Sequence, residues 1–110
     1  MSTVLPKDDS RPVAELINVA LSDADENVVW DAVSALHWRG TEEVLQAAQG
    51  LCRSSCHRER ELGCDILGQI GVPDRTLPNE CVKTLLDVLE DEADPTVLRS
   101  IFVAFSHLGD

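Results

Sequence analysis

Apolar residues recur along this chain at intervals of three and four residues, which is the spacing of one face of an α-helix. The clearest case is the segment 59–71, whose small and apolar residues share one helix face and whose last residue is a glycine. Two further segments show the same pattern before Gly40 and Gly109. A separate apolar stripe precedes each of the three. The pattern therefore predicts six helices arranged as three pairs.

The spacing between these helices predicts a tandem repeat. In each pair, the first stripe residue of the leading helix stands 19 residues before an interior residue of the second; the markers are Val13 and Ala32, Val44 and Gly63, and Val82 and Ile101. From pair to pair the markers advance by 31 and then 38 residues. The excess of seven matches the loop 72–78, whose prolines exclude a continuous helix. We predict a mobile arm at 1–9 and one domain at 10–110, with units at about 11–40, 41–71 and 79–109.

Short polar residues before each stripe predict where the helices begin, because their side chains can accept a hydrogen bond from a free backbone amide. The predicted N-caps, in chain order, are Ser10, Asp25, Thr41, one of Ser54 and Ser55, Asn79 and Asp94. The predicted interior positions of the fifth helix are Val82, Leu85, Leu86 and Leu89.

The charge balance narrows the classes of partner. The 110 residues include 20 acidic and 9 basic side chains, for a net charge of −11, which would repel a phosphate backbone. No segment approaches the roughly 20 apolar residues of a membrane span, and the first residues lack the pattern of a signal peptide. We therefore expect a cytoplasmic protein with reduced cysteines that binds neither nucleic acid nor membrane.

Candidate catalytic and metal-binding residues are few. Cys52, Cys56 and His57 are close in sequence, but the second ligand pair of a structural zinc site is missing, so we expect the cysteines to be buried as small apolar side chains. The three histidines belong to different units, and the acidic run 90–94 is typical of a solvated turn. We predict no catalytic residue, no metal and no cofactor, and thus not an enzyme.

Helix pairs of this length with an acidic turn between the helices resemble HEAT repeats, in particular the short HEAT-like class of phycobilisome lyases and many bacterial proteins. The resemblance is carried by the turns LSDADENV and LEDEADPTV at 21–28 and 89–97, and by the helix endings LGQIG and SHLGD at 67–71 and 106–110. It implies an all-α fold, a right-handed α-α superhelix (α-solenoid) of three HEAT-like helix pairs. The last helix has no following repeat to cover it, which predicts self-association or further repeats.

The resemblance also implies that the second helices line a concave surface. Two tryptophans on the polar side of one helix are the strongest indication of a binding patch there, although either could instead pack under the N-terminal arm or over its own helix end. The predicted partner-binding residues are Trp30, Ser34, His37, Trp38, Glu61, Asp65, Arg99 and His107. The predicted function is a non-enzymatic scaffold that binds a protein segment. The alternative is an accessory lyase-type subunit that holds a small molecule or chromophore in the same groove.

Overall fold

A computed structural model describes residues 5–72, 74 and 76–108 of the chain. These residues form six α-helices and a short 3₁₀ turn, with no strand among them. The 3₁₀ turn is Pro6–Asp8, and the helices are α1 (Val13–Ser22), α2 (Glu26–Trp38), α3 (Glu42–Cys52), α4 (His57–Gln69), α5 (Pro78–Asp91) and α6 (Pro95–Leu108). The predicted all-α class is confirmed, and each apolar stripe lies in a helix of its own. None of these helices combines the length and hydropathy needed to cross a membrane.

Consecutive helices pack in pairs, α1 with α2, α3 with α4, and α5 with α6. The pairs also touch one another, since α1, α3 and α5 are neighbours in that order, and so are α2, α4 and α6. Helix α4 is central to the packing because it contacts every other α-helix, most extensively α6 and α3. The core between the helices is aliphatic, and the buried hydrophobic side chains of the described residues include no aromatic residue.

The interior residues predicted for the three second helices are all buried. Ala32, Gly63 and Ile101 lie in the core. The 19-residue spacing joins buried residues in the first two pairs, whereas in the third pair the buried residue of the leading helix is Cys81, 20 residues before Ile101. At Gly63 an added Cβ would come within 3 Å of the Ala48 carbonyl oxygen and of Cys52 Sγ, so α3 and α4 are in contact almost backbone to backbone. A larger residue there would force the two helices apart.

Two interior positions of α5 were predicted wrongly, Leu86 and the repeat marker Val82, which is half-buried and does not belong to the core. Leu86 is 51% exposed, whereas Cys81 is fully buried together with Leu85. The sequence of α5 contains two overlapping apolar stripes, and the packed face is the one that includes the small Cys81 side chain. Matching the buried Ala48 of α3 with Leu85 of α5 gives a step of 37 residues, one fewer than predicted.

Three of the predicted N-caps are confirmed. The Asp25 carboxylate accepts a hydrogen bond from the amide of Asn27 at 2.8 Å, and Thr41 Oγ1 accepts one from Val44 at 3.3 Å. Asp94 Oδ1 accepts from the amides at positions 96 and 97, directly before the proline that begins α6. Each cap satisfies amides that have no partner inside the helix.

The other predicted N-caps are wrong because prolines and a tight turn move the helix starts. Helix α1 begins after Pro12, α4 begins after Cys56, and α5 begins after Leu77, which has a left-handed conformation with φ of 54°. Pro78 takes the first helical position of α5, where its missing N–H costs nothing, so Asn79 is already inside the helix. Ser10 and Ser55 make no capping bond, and Ser54 Oγ accepts a hydrogen bond from the Cys56 amide in the preceding turn.

A glycine junction ties the end of α2 to the end of α4. Gly71 has φ of 79°, which favours glycine, and its N–H donates to the His37 carbonyl at 2.7 Å. Thr76 Oγ1 donates to the Gly40 carbonyl at 3.0 Å, so the loop after α4 returns to the residues that follow α2. The helix stop predicted at Gly71 is therefore a contact between two units. Gly109 lies outside the described residues.

The N-terminal segment packs against α2. The 3₁₀ turn Pro6–Asp8 contacts that helix, and the Arg39 guanidinium donates to the carbonyl oxygens of Asp9 and Arg11, both at 2.7 Å. An ion pair of 2.7 Å between Arg11 and Asp9 stiffens the same segment, and the hydrogen bond from Arg11 lowers the pKa of the Asp9 carboxyl. Residues 5–12 thus lie against α2, whereas residues 1–4 of the predicted mobile arm lie outside the described residues.

Candidate functional site

The predicted groove starts at the exposed side of α2. Trp30 is 61% exposed, and its ring meets the His37 ring edge-on, with the ring centroids 6.1 Å apart at an interplanar angle of 81°. This contact fixes one edge of the indole and leaves most of it in solvent. An exposed, oriented tryptophan is the type of side chain that anchors protein interfaces.

A hydrogen bond links α2 to α4 directly below this tryptophan. His37 Nε2 lies 3.0 Å from Asp65 Oδ2, and because a carboxylate can only accept, the ring nitrogen is the donor. His37 is buried, with 7% of its surface exposed, whereas the Asp65 side chain is close to half exposed. The structure thus gives His37 a positioning role, and Asp65 presents the charged surface.

Four of the predicted residues line one cavity between α4 and α6. Its volume is about 280 Å³, and Glu61 and Asp65 of α4 face Arg99 and His107 of α6 across it. The floor is formed by Gly68, where an added Cβ would come within 3 Å of Ala104. This close approach of α4 and α6 brings the charged side chains together at the rim.

A second cavity of about 240 Å³ lies between α2 and α4 and shares three residues with the first, Glu61, Asp65 and Ser100. Glu61 and Asp65 line both cavities, and Val29 and Val33 form part of the apolar wall of the second. The two carboxylates therefore stand between two adjacent recesses. Trp30 lines neither recess but is linked to them through His37, which contacts the Trp30 ring and bonds to Asp65. We call this region of α2, α4 and α6 the second-helix groove.

Four of the eight predicted residues line neither cavity, namely Trp30, Ser34, His37 and Trp38. Ser34 is half-buried on α2 and lines neither of them, and the exposed Trp38, the last residue of α2, lines neither as well. The structure therefore places Glu61, Asp65, Arg99 and His107 at one cavity and connects Trp30 and His37 to it through the bond to Asp65.

Sequence reasoning missed a larger cleft of about 560 Å³ between α3 and α5. At its edge Arg60 Nε donates to Glu92 Oε1 at 2.7 Å, and Gln49 bonds to Thr84 Oγ1 at 3.1 Å. The Glu92 side chain is almost fully buried, and the hydrogen bond from Arg60 lowers the pKa of its carboxyl. The expectation that all of 90–94 is a solvated turn is thus wrong, because residues 90 and 91 belong to α5 and the Glu92 side chain is buried. Its partner is 32 residues away, and no local pattern reveals the pair.

Three of the four cysteines are buried as expected, and Cys56 is not. Cys56 is exposed because it occupies the N-cap of α4 at the surface, which separates it from the buried Cys52. The Cys64 thiol donates a hydrogen bond that lowers the pKa of Cys52, and the same bond together with burial raises the pKa of Cys64. Among the described residues, no three metal-binding side chains are grouped to hold an ion.

Comparison with known proteins does not identify a family for this chain. No protein family model, curated protein or solved structure matches the chain. The HEAT-like resemblance therefore rests on the spacing and the turn sequences alone, and it stays a prediction.

Proposed function

We propose that this chain is a non-enzymatic HEAT-like interaction module whose second-helix groove binds an extended protein segment. In this proposal the three helix pairs form one right-handed α-α superhelix. Support comes from the packing order, since leading helices neighbour leading helices and second helices neighbour second helices. The near-backbone contact of Gly68 with Ala104 gives α4 and α6 the close side-by-side packing that such a stack needs.

The observation that carries the proposal is the combination of an exposed, oriented Trp30 with two carboxylates on the adjacent helix. Trp30 is the most exposed of the large apolar side chains in the described residues. Covering an indole of this exposure with a partner contributes about 2 kcal/mol to binding. The neighbouring carboxylates of Glu61 and Asp65 add charge specificity, because they favour a positively charged partner group and disfavour a negatively charged one.

The groove suits a segment that carries lysine or arginine. A cationic side chain of the partner can lie over the Trp30 ring and reach the carboxylates of Glu61 and Asp65. The net charge of −11 attracts a basic segment over longer distances as well. Arg99 and His107 at the far side of the groove would bind an acidic group or a backbone carbonyl of the same segment.

The cavity sizes favour an extended segment over a compact ligand. The two recesses measure about 280 Å³ and 240 Å³, and their rims are charged. Sites for small molecules and cofactors usually enclose about 300 to 1,000 Å³ with mostly apolar walls. A chain segment needs only shallow side-chain pockets spaced along a groove. The chromophore-binding alternative therefore ranks second.

The test is a binding screen with a library of basic and acidic peptides, followed by titration with Trp30→Ala and Trp38→Ala as a matched pair. We expect basic peptides to be selected, Trp30→Ala to weaken binding about tenfold or more, and Trp38→Ala to change it less than about twofold. Circular dichroism should show unchanged helicity in both variants. Equal binding by Trp30→Ala, or a response to small molecules with no peptide selected, would contradict the proposal.

A further inference from the structure

The helix pair α5 and α6 leaves large apolar side chains uncovered on one side. Phe102 is 59% exposed, and the neighbouring Val103 and Leu86 are exposed to a similar extent. An open depression of about 630 Å³ runs along α6 beside Phe102, and Leu98 and Arg99 belong to its wall. We call the surface formed by Leu86, Leu98, Phe102 and Val103 the end face.

The position that corresponds to Phe102 is covered in the first two pairs. The steps of 38 and 31 residues match Phe102 to Cys64 and to Val33, which are 0% and 7% exposed. The step of 37 residues matches Leu86 to Gln49, whose side chain bonds to Thr84 of α5. The position of Phe102 is therefore buried in the first two pairs and exposed in the third. The position of Leu86 is half-buried at Gln49 and exposed at Asn18.

The opposite end of the helix series differs because the chain covers it. The 3₁₀ turn Pro6–Asp8 packs on α2, and Arg39 holds the following residues through two hydrogen bonds of 2.7 Å. A second copy could reach this end of α2 only by displacing that segment. Head-to-tail association is thus disfavoured. The remaining surface that the end face of one copy can contact is the end face of another copy.

The charges of the two helices complement each other across such a pairing. Helix α6 contains Arg99 and His107 and no carboxylate, whereas α5 is acidic, with Asp87 and Glu90 exposed. The step of 37 residues matches Glu90 to Arg53, and Arg53 lines the cleft that faces α5. Glu90 therefore lies on the same side of α5 as Leu86. A two-fold axis that lies in the plane of the interface, parallel to the two helices, lays α6 of one copy over α5 of the other. Arg99 then meets the acidic α5, and Phe102 covers apolar surface.

We propose that two copies of this chain associate through their end faces about a two-fold axis, with α6 of each packed on α5 of the other. Each helix has 14 residues and is about 21 Å long, so the two-helix face is at the lower end of the area that stable dimers bury. The dimer should therefore depend on concentration, with a dissociation constant in the micromolar range, roughly 1 to 100 µM. The proposal does not require a peptide in the second-helix groove, but the two surfaces share Arg99 and Val103.

Sedimentation velocity between about 1 µM and about 500 µM tests the pairing. We expect a monomer that becomes a dimer within this range. Phe102→Glu should raise the dissociation constant about 100-fold or more, since each change counts twice in a two-fold interface. The matched control is Val28→Glu, which places the same charge on a partly exposed apolar site of α2 and should leave the dimer unchanged.

A charge exchange tests the orientation of the two copies. Arg99→Glu alone should weaken the dimer, and the double variant Arg99→Glu with Glu90→Arg should restore it, because each copy then carries the exchanged pair. A chain that stays monomeric up to the highest concentration overturns the proposal. So does a Phe102→Glu variant that dimerises like the unchanged chain, or a double variant as weak as Arg99→Glu. Peptide binding by monomeric Phe102→Glu would separate this result from the proposed function.

Discussion

Gly68→Ala is the sharpest test of how α4 and α6 pack. An added Cβ would lie 2.8 Å from both Cα and Cβ of Ala104, whereas carbon atoms in ordinary contact are about 3.5 to 4.0 Å apart. The clash is with the backbone of α6, which cannot rotate away as a long side chain could. The two helices must therefore separate by about 0.7 Å or more along their most extensive contact.

Two effects of opposite sign decide the size of the change. Overpacking a close helix contact costs about 1 to 3 kcal/mol, and separating the helices also weakens the van der Waals contacts around the site. Replacing a glycine inside a helix by alanine stabilises it by about 1 kcal/mol. We expect the clash to win and Gly68→Ala to lower the free energy of unfolding by about 1 to 2 kcal/mol.

Gly50→Ala is the matched control, because Gly50 also lies in a helix and an added Cβ there would have no atom within 4 Å. This substitution should raise the free energy of unfolding by about 0.5 to 1 kcal/mol. Urea unfolding followed by circular dichroism measures both variants at one protein concentration. If Gly68→Ala is as stable as Gly50→Ala, the close approach of α4 and α6 is wrong.

Two further predictions concern the ionisable groups. Because Arg60 lowers the pKa of Glu92 in the folded chain, the pair stabilises the fold above the ordinary glutamate pKa of 4.5, and this stabilisation is lost as the pH falls below it. Urea midpoints between pH 7 and pH 3 should therefore fall less for Glu92→Gln than for the unchanged chain, and equal slopes would contradict the pairing. In a thiol titration with a disulfide reagent, Cys56 should react fast and the three buried thiols only after unfolding, in part because burial raises the pKa of Cys81 to about 11. Two or more fast thiols in the folded chain would refute this.

The helices and half of their starts were predictable because their signals are local. An apolar stripe needs only a few residues, and the caps at Asp25, Thr41 and Asp94 bond to amides two or three residues away. The orientation of α5 was not predictable in the same way. Its sequence allows two stripes, and only packing against the other helices selects the one with Cys81 over the one with Leu86.

The candidate site, too, was predictable only in part. Matching positions between second helices predicted that Glu61, Asp65 and Arg99 would lie close together, and they line one cavity. The burial of His37 and its bond to Asp65 depend on the distance between α2 and α4, which no periodicity encodes. The pair of Arg60 and Glu92 escaped prediction for that reason too.

The central place of α4 has a consequence for how the chain comes apart. In long repeat arrays a terminal unit can fray while its neighbours stay folded, since each unit touches only the next. Here α4 contacts all five other helices, so neither terminal pair can unfold without exposing part of α4 to solvent. The chain should melt in a single all-or-none step, and no shortened version that lacks α4 should keep a fold of its own.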